Sequence, residues 1–96
     1  MFVILLKLTE RKTLAPQFMP AHKEWIKQGC DEGVFMLVGS LPAGTGGALL
    51  AVTATMEEIQ ARVAADPFVA EGIVMPEIYE IAPGRMDERL LPVFGN

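Results

Sequence analysis

Apolar and polar positions change their period several times along the chain, and each change marks an element. Residues Phe2 to Leu8 alternate: Phe2, Ile4, Leu6 and Leu8 share one face, Val3 and Leu5 the other, with Lys7 beyond them. A period of two predicts a strand. From Thr13 to about Glu32 the period becomes helical. Leu14, Phe18, Ala21, His22, Trp25, Ile26 and Gly29 recur at spacings of three and four, opposite Lys23, Glu24, Lys27, Gln28 and Asp31. Proline fits badly inside a helix, so Pro16 and Pro20 predict that the regular helix begins near Pro20. Gly33 is a natural stop. Val34 to Ser40 is a second strand, in which Val34, Met36 and Val38 alternate with Phe35 and Leu37. Leu41 to Gly47 is rich in turn residues, and Ala48 to Thr53 reads as a third strand in a hairpin with the second.

Thr55 and Glu58 match a capping box, with Met56, Ile59 and Val63 on one helical face. Asp66-Pro67 restarts the chain, since Asp suits an N-cap and Pro the first helical position. A short helical turn through Phe68 and Val69 then stops at Gly72. Pro76 to Ala82 is the last strand, ended by Pro83-Gly84. The order β-α-β-β-α-β predicts an α+β fold, ferredoxin-like, with a four-stranded antiparallel sheet. Residues 1–96 read as a single domain, with 83–96 as a C-terminal tail whose Leu90, Leu91, Val93 and Phe94 call for a packing partner.

The strand pattern carries a further demand. An antiparallel sheet with helices on one face and water on the other alternates apolar with polar residues. The first three strands are apolar on both faces; only the last, with Glu77 and Glu80, is partly wet. Monomers rarely expose so large an apolar patch. Pairing face to face with a twofold copy buries it, so the expected partner is the chain itself, as a homodimer. A membrane-facing or ligand-binding role is the competing use of that face.

Composition narrows the classes. Hydrophobic residues make up 51% of the 96. The longest apolar run, Met1 to Leu6, is far below the ~20 residues of a membrane span. No charged segment precedes an apolar stretch as in a secretory signal, so a cytoplasmic location is expected, without membrane partners. The net charge is −4 and Lys and Arg are scattered, which argues against nucleic acid. The single cysteine, Cys30, excludes an intrachain disulfide, and no Cys/His spacing suggests a metal site. Cys30 reads as a buried helical thiol, with a reactive thiol as the alternative.

Two residues stand out chemically. His22, the only histidine, falls on the apolar side of the first helix, where an imidazole is a natural general acid or base; the alternative is a core histidine held by a backbone carbonyl. Asp66 is placed to orient such an imidazole through one carboxylate oxygen while capping a helix with the other; the alternative is a cap alone. The glycine-rich Leu41–Gly47 segment is no phosphate loop, because no Gly-Lys-Ser/Thr follows and it leads into a strand. Ser40 lacks a neighbouring base for a nucleophile. Trp25, Phe18, Phe68 and Tyr79 are candidates to wall a pocket, with core packing as their default.

The segment Pro20-Ala21-His22 opening the first helix resembles the YCII-related family. So do Gly39 ending the second strand, Thr45-Gly46-Gly47 opening the third, and Asp87-Glu88-Arg89 in the tail. The most specific match is Asp66-Pro67-Phe68-Val69 followed by Gly72, and the resemblance runs over about residues 1–94. It implies a dimeric α/β barrel, two ferredoxin-like sheets packed face to face. It implies an active site on His22 and Asp66, and a lyase (eliminating HCl) or an isomerase acting on small cyclic molecules without a cofactor. Relatives often carry a serine where Gly46 and Gly47 stand, and Gly-Pro where this chain has Gly39-Ser40, so Ser40 is a substitute candidate for any serine-assisted step. Ser40, Trp25 and Phe68 are the expected substrate contacts. The alternative is a non-catalytic small-ligand-binding or interaction module of the same fold. A heme-degrading or cofactor-free oxygenase is a third option, by analogy of fold alone.

Overall fold

A computed structural model describes residues 1–95. The strands are β1 (Phe2–Leu8), β2 (Phe35–Ser40), β3 (Gly46–Ala51) and β4 (Val74–Glu80). The helices are α1 (Ala15–Asp31), α2 (Met56–Ala64), α3 (Pro67–Ala70) and α4 (Leu91–Phe94). All pairings are antiparallel and the spatial order is β2-β3-β1-β4, the ferredoxin-like arrangement that the β-α-β-β-α-β pattern predicts. Among the described residues no helix is long and apolar enough to cross a membrane.

Register decides which side chains meet the helices. Ile4 lies between Leu49 of β3 and Ile78 of β4, and Phe2 pairs with Ala51. Phe2, Ile4, Leu6, Leu49 and Ala51 are all buried, together with Trp25, Phe35, Ile59, Val63, Phe68 and Ile73. This is the core, between one sheet face and the helices. The other face carries Val3, Leu5, Ala48 and Leu50, with Leu37 59%, Met75 62% and Tyr79 52% exposed. One polar island interrupts it: Lys7 pairs with Glu77 at 3.2 Å, and the Tyr79 hydroxyl donates to Glu77 at 3.0 Å.

Four details depart from the sequence reading. First, α1 begins at Ala15 and runs through Pro20. A 3₁₀ turn over Glu10–Leu14, capped by Thr9, feeds it directly, and Pro16 sits in its first turn. Pro20 is exposed, so its ring points away from the core and the helix loses only the hydrogen bond that its missing N–H would give Pro16. Packing of Leu14, Ala15, Phe18 and Met19 on the core offsets that loss.

Second, β3 and β4 each begin two residues early. Gly46 enters β3 at φ 149, and a Cβ there would collide with the Leu6 carbonyl, so only glycine brings the chain this close. Pro76 sits within β4 because β4 is an edge strand, where a missing N–H breaks no ladder. Third, β2 has a bulge between Phe35 and Leu37. It reverses the alternation: Val38 and Ser40 pair with Leu49 and Gly47 and so turn toward the helix side, while Leu37 turns to the open face. Fourth, Cys30 is exposed rather than buried; the buried position beside it belongs to Gly29, where a Cβ would collide with the Phe35 ring.

Candidate functional site

Helical spacing aims one stripe of α1 (Ala15, Met19, His22, Ile26) along the edge of the sheet. Facing it, Asp66 caps α3: its Oδ1 accepts the Phe68 N–H at 3.0 Å, and Pro67 fits the first helical turn. The end of this turn is fastened to the segment before α1. The Thr9 hydroxyl donates to the Gly72 carbonyl at 2.6 Å, and Arg11 Nε donates to the Glu71 carbonyl at 2.8 Å. The local chemistry of Asp-Pro-Phe and these tethers hold Asp66 against α1.

His22 Nδ1 lies 2.7 Å from Asp66 Oδ1. Asp66 is 0% exposed and the His22 side chain 12%. The expectation that Asp66 uses one oxygen for each partner is corrected. Oδ1 takes both the imidazole and the Phe68 amide, and Oδ2 is buried with no hydrogen-bond partner among the described residues. A carboxylate oxygen accepts, so Nδ1 is the donor in this contact, and in the neutral imidazole Nε2 then holds the lone pair. Nε2 has no partner among the described residues and keeps solvent access at the cleft wall. The Phe68 ring lies parallel to the imidazole, 3.9 Å between centroids and 2° between planes, which fixes the ring's tilt.

The cleft has a volume of about 480 Å³, within the usual range of small-molecule sites. Its floor is apolar, with Leu6, Leu49, Phe68 and Val74, and Val38, Met19 and Ile26 continue the wall. Ser40 lines it too, brought there by the β2 bulge, as does the glycine-rich rim of Gly44, Gly46 and Gly47. Trp25 does not reach this cleft. It stacks loosely on His22 at 5.9 Å, donates its indole N–H to the Arg62 carbonyl at 2.9 Å, and lines a separate depression beside α2. His22, Phe68 and Ser40 thus line one cleft, with Asp66 buried behind His22 and Trp25 outside the lining.

Sequence patterning missed Lys23, assigned to the solvent face of α1. It lines the cleft, four residues after Met19 and next to His22, and that spacing was the available signal. Among the described residues no three His, Cys, Asp or Glu side chains gather to hold a metal ion.

The family model for the YCII-related domain matches residues 1–83. Among solved structures, a 5-chloro-2-hydroxyhydroquinone dehydrochlorinase (TftG) from Burkholderia phenoliruptrix AC1100, in complex with 2,5-dihydroxybenzoquinone, is similar in fold. Its TM-score is 0.71 at 20% identity, covering 86% of this chain and 94% of that one. No curated protein matches the chain in sequence.

Proposed function

The chain belongs to the YCII-related family, and from that premise we propose that it is a cofactor-independent lyase or isomerase moving a proton on a small cyclic or aromatic molecule. The observation that carries this reading is the His22–Asp66 contact of 2.7 Å, with Nε2 open to an apolar cleft. Nε2 takes a proton from a ring carbon or hydroxyl. The electron pair left behind forms a new double bond. In elimination the leaving group departs with its own electron pair, so the net loss is one proton and one anion. In isomerisation the imidazolium returns the proton at a second carbon. Neither route needs an oxidant. Asp66 stabilises the imidazolium that forms and holds its orientation. Positioned proton transfer of this kind contributes about 10²–10⁴-fold. The similar fold of a dehydrochlorinase acting on a chlorinated hydroxyhydroquinone favours elimination from a halogenated, hydroxylated ring.

The same reading includes a homodimer joined through the open face of the sheet, where Leu37, Met75 and Tyr79 stand exposed beside Val3 and Leu5. That face lies opposite the helices, so the dimer braces the cleft from behind.

Halide release from a panel of chlorinated hydroxyquinols and cyclic chloro-ketones tests the activity, with proton exchange as the readout for isomerisation. We expect turnover by the natural chain and a loss of at least about 10² in a folded His22→Ala protein. Undiminished turnover in that variant would sink the acid–base role of His22.

A further inference from the structure

The lining of the cleft carries one formal charge. Leucine, valine, methionine, isoleucine, phenylalanine and glycine make up most of it, and Ser40 and His22 add polarity. The charge is the ammonium of Lys23. The chain as a whole is acidic, with 12 Asp and Glu against 8 Lys and Arg, so a lone cation on this surface runs against the average. Four other basic residues are in ion pairs, Lys7 with Glu77, Lys27 with Asp31, Arg62 with Glu32 and Arg89 with Asp87. Lys12 and Arg85, like Lys23, have no ion-pair partner among the described residues, but they do not line the cleft. Lys23 makes no hydrogen bond or ion pair with any described residue. Among the described residues no Asp or Glu lines the cleft to neutralise it.

The order of burial gives the ligand a direction. Leu6, Leu49, Phe68 and Val74 are buried at the floor. His22 is mostly buried at the wall, and Lys23, one residue on along α1, is exposed at the mouth. A planar ring entering this cleft meets apolar surface below, Nε2 at its side and an ammonium where it leaves the protein.

The geometry points to a ligand that is an ionised ring acid, a phenolate or hydroxyquinone anion, with its charged oxygen held by Lys23 at the mouth and its apolar edge on the floor. Lys23 is then the residue that selects anionic over neutral rings. This deepens the acid–base reading above and rests on it for the identity of the site, though binding itself does not need Nε2. Ionising one ring oxygen also pushes electron density into the ring, which favours departure of an anion from another carbon. Lys23 thus holds the form of the substrate from which elimination is easiest.

The test compares two rings of the same skeleton, 2,5-dihydroxybenzoquinone, which is ionised at neutral pH, and its uncharged dimethyl ether, 2,5-dimethoxybenzoquinone. Binding to the natural chain, to Lys23→Gln and to Lys23→Arg is measured by calorimetry at low and high salt. We expect the natural chain to prefer the anion by about tenfold, a preference that salt weakens. Lys23→Gln should lose most of it and Lys23→Arg should keep it. A Lys23→Gln protein with undiminished preference would overturn the assignment, as would a natural chain that favours the ether or binds neither ring. A His22→Ala protein should keep the anion preference, so failure of the catalytic reading and failure of this one are told apart.

Discussion

Both donors that reach Asp66 converge on one of its oxygens, which makes the second oxygen a buried acceptor without a partner among the described residues. This sets up a clean substitution. In Asp66→Asn the amide oxygen can keep both contacts while the NH₂ takes the place of Oδ2. One unpaired buried group replaces another, so stability should move little, within about 1 kcal/mol. The negative charge that favours imidazolium is gone, however, and turnover should fall by about 10²–10⁴-fold. Thermal melts and rates on the same preparation check the pair of outcomes; a large drop in stability with unchanged rate would reverse the assignment of Asp66 from chemistry to scaffolding. His22 and Asp66 stood out in the sequence singly, from the apolar spacing of His22 and the Asp-Pro restart, and only the family resemblance paired them. That they touch was not legible, because the contact joins residues 44 positions apart. Which carboxylate oxygen is used was not legible either, because a rotamer leaves no trace in a hydropathy pattern. The same limit explains Cys30. Residue type alone suggested a buried thiol, but the buried position beside it is Gly29, where the Phe35 ring leaves no room for a side chain.

At the scale of elements, the four strands and the helices α1 to α3 follow in order from alternation and capping alone, whereas α4 lies in the stretch that read as a tail. The Thr55–Glu58 capping box is present as expected: the Glu58 N–H donates to the Thr55 hydroxyl at 3.2 Å, and the Thr55 N–H to Glu58 Oε1 at 2.9 Å. Thr55→Ala should cost about 1 kcal/mol in a thermal melt. The Thr55 amide also holds the Glu58 carboxyl below the usual carboxylate range. A carboxyl lowered on folding stabilises the fold above its unfolded pKa and loses that effect as pH falls through the lowered value. The gap between the natural chain and Glu58→Gln should therefore close in acid; a gap independent of pH would mean that the charge does nothing at this cap. What the pattern could not show is the bulge in β2. An extra residue in a strand is invisible to a period of two, yet it puts Val38 and Ser40 into the cleft. The close approach of α1 to β2 at Gly29 is equally hidden. Gly29→Ala should destabilise by about 1–3 kcal/mol through overpacking against Phe35, although alanine is the better helix former. A melt in which Gly29→Ala is stabilising would mean that the two elements part easily.

On the scale of the whole molecule, the apolar content that the strands announced is divided between two faces. One is the core under the helices. The other remains open, with Leu50 at its middle, paired to Val3 and Leu37. If this face joins two copies, Leu50→Glu should turn a dimer into a monomer in sedimentation, and the melting temperature of the natural chain should rise with concentration while that of the variant does not. A natural chain that sediments as a monomer would contradict the pairing while leaving the cleft untouched, since the cleft lies on the helix side. Lys23 belongs to this scale as well. Its role emerges only when the lining contributed by α1, the sheet and the β2–β3 rim is seen together, and a helical wheel sends it to solvent.

The pairing of His22 with Asp66 beside the cleft is read most directly from the ¹⁵N spectrum of His22, the only histidine in the chain, recorded with and without 2,5-dihydroxybenzoquinone. The proton should sit on Nδ1 and be lost or redistributed in Asp66→Asn, and the Nε2 signal should move when the ring binds. A proton on Nε2, with neither nitrogen responding to the ring or to Asp66→Asn, would contradict that pairing.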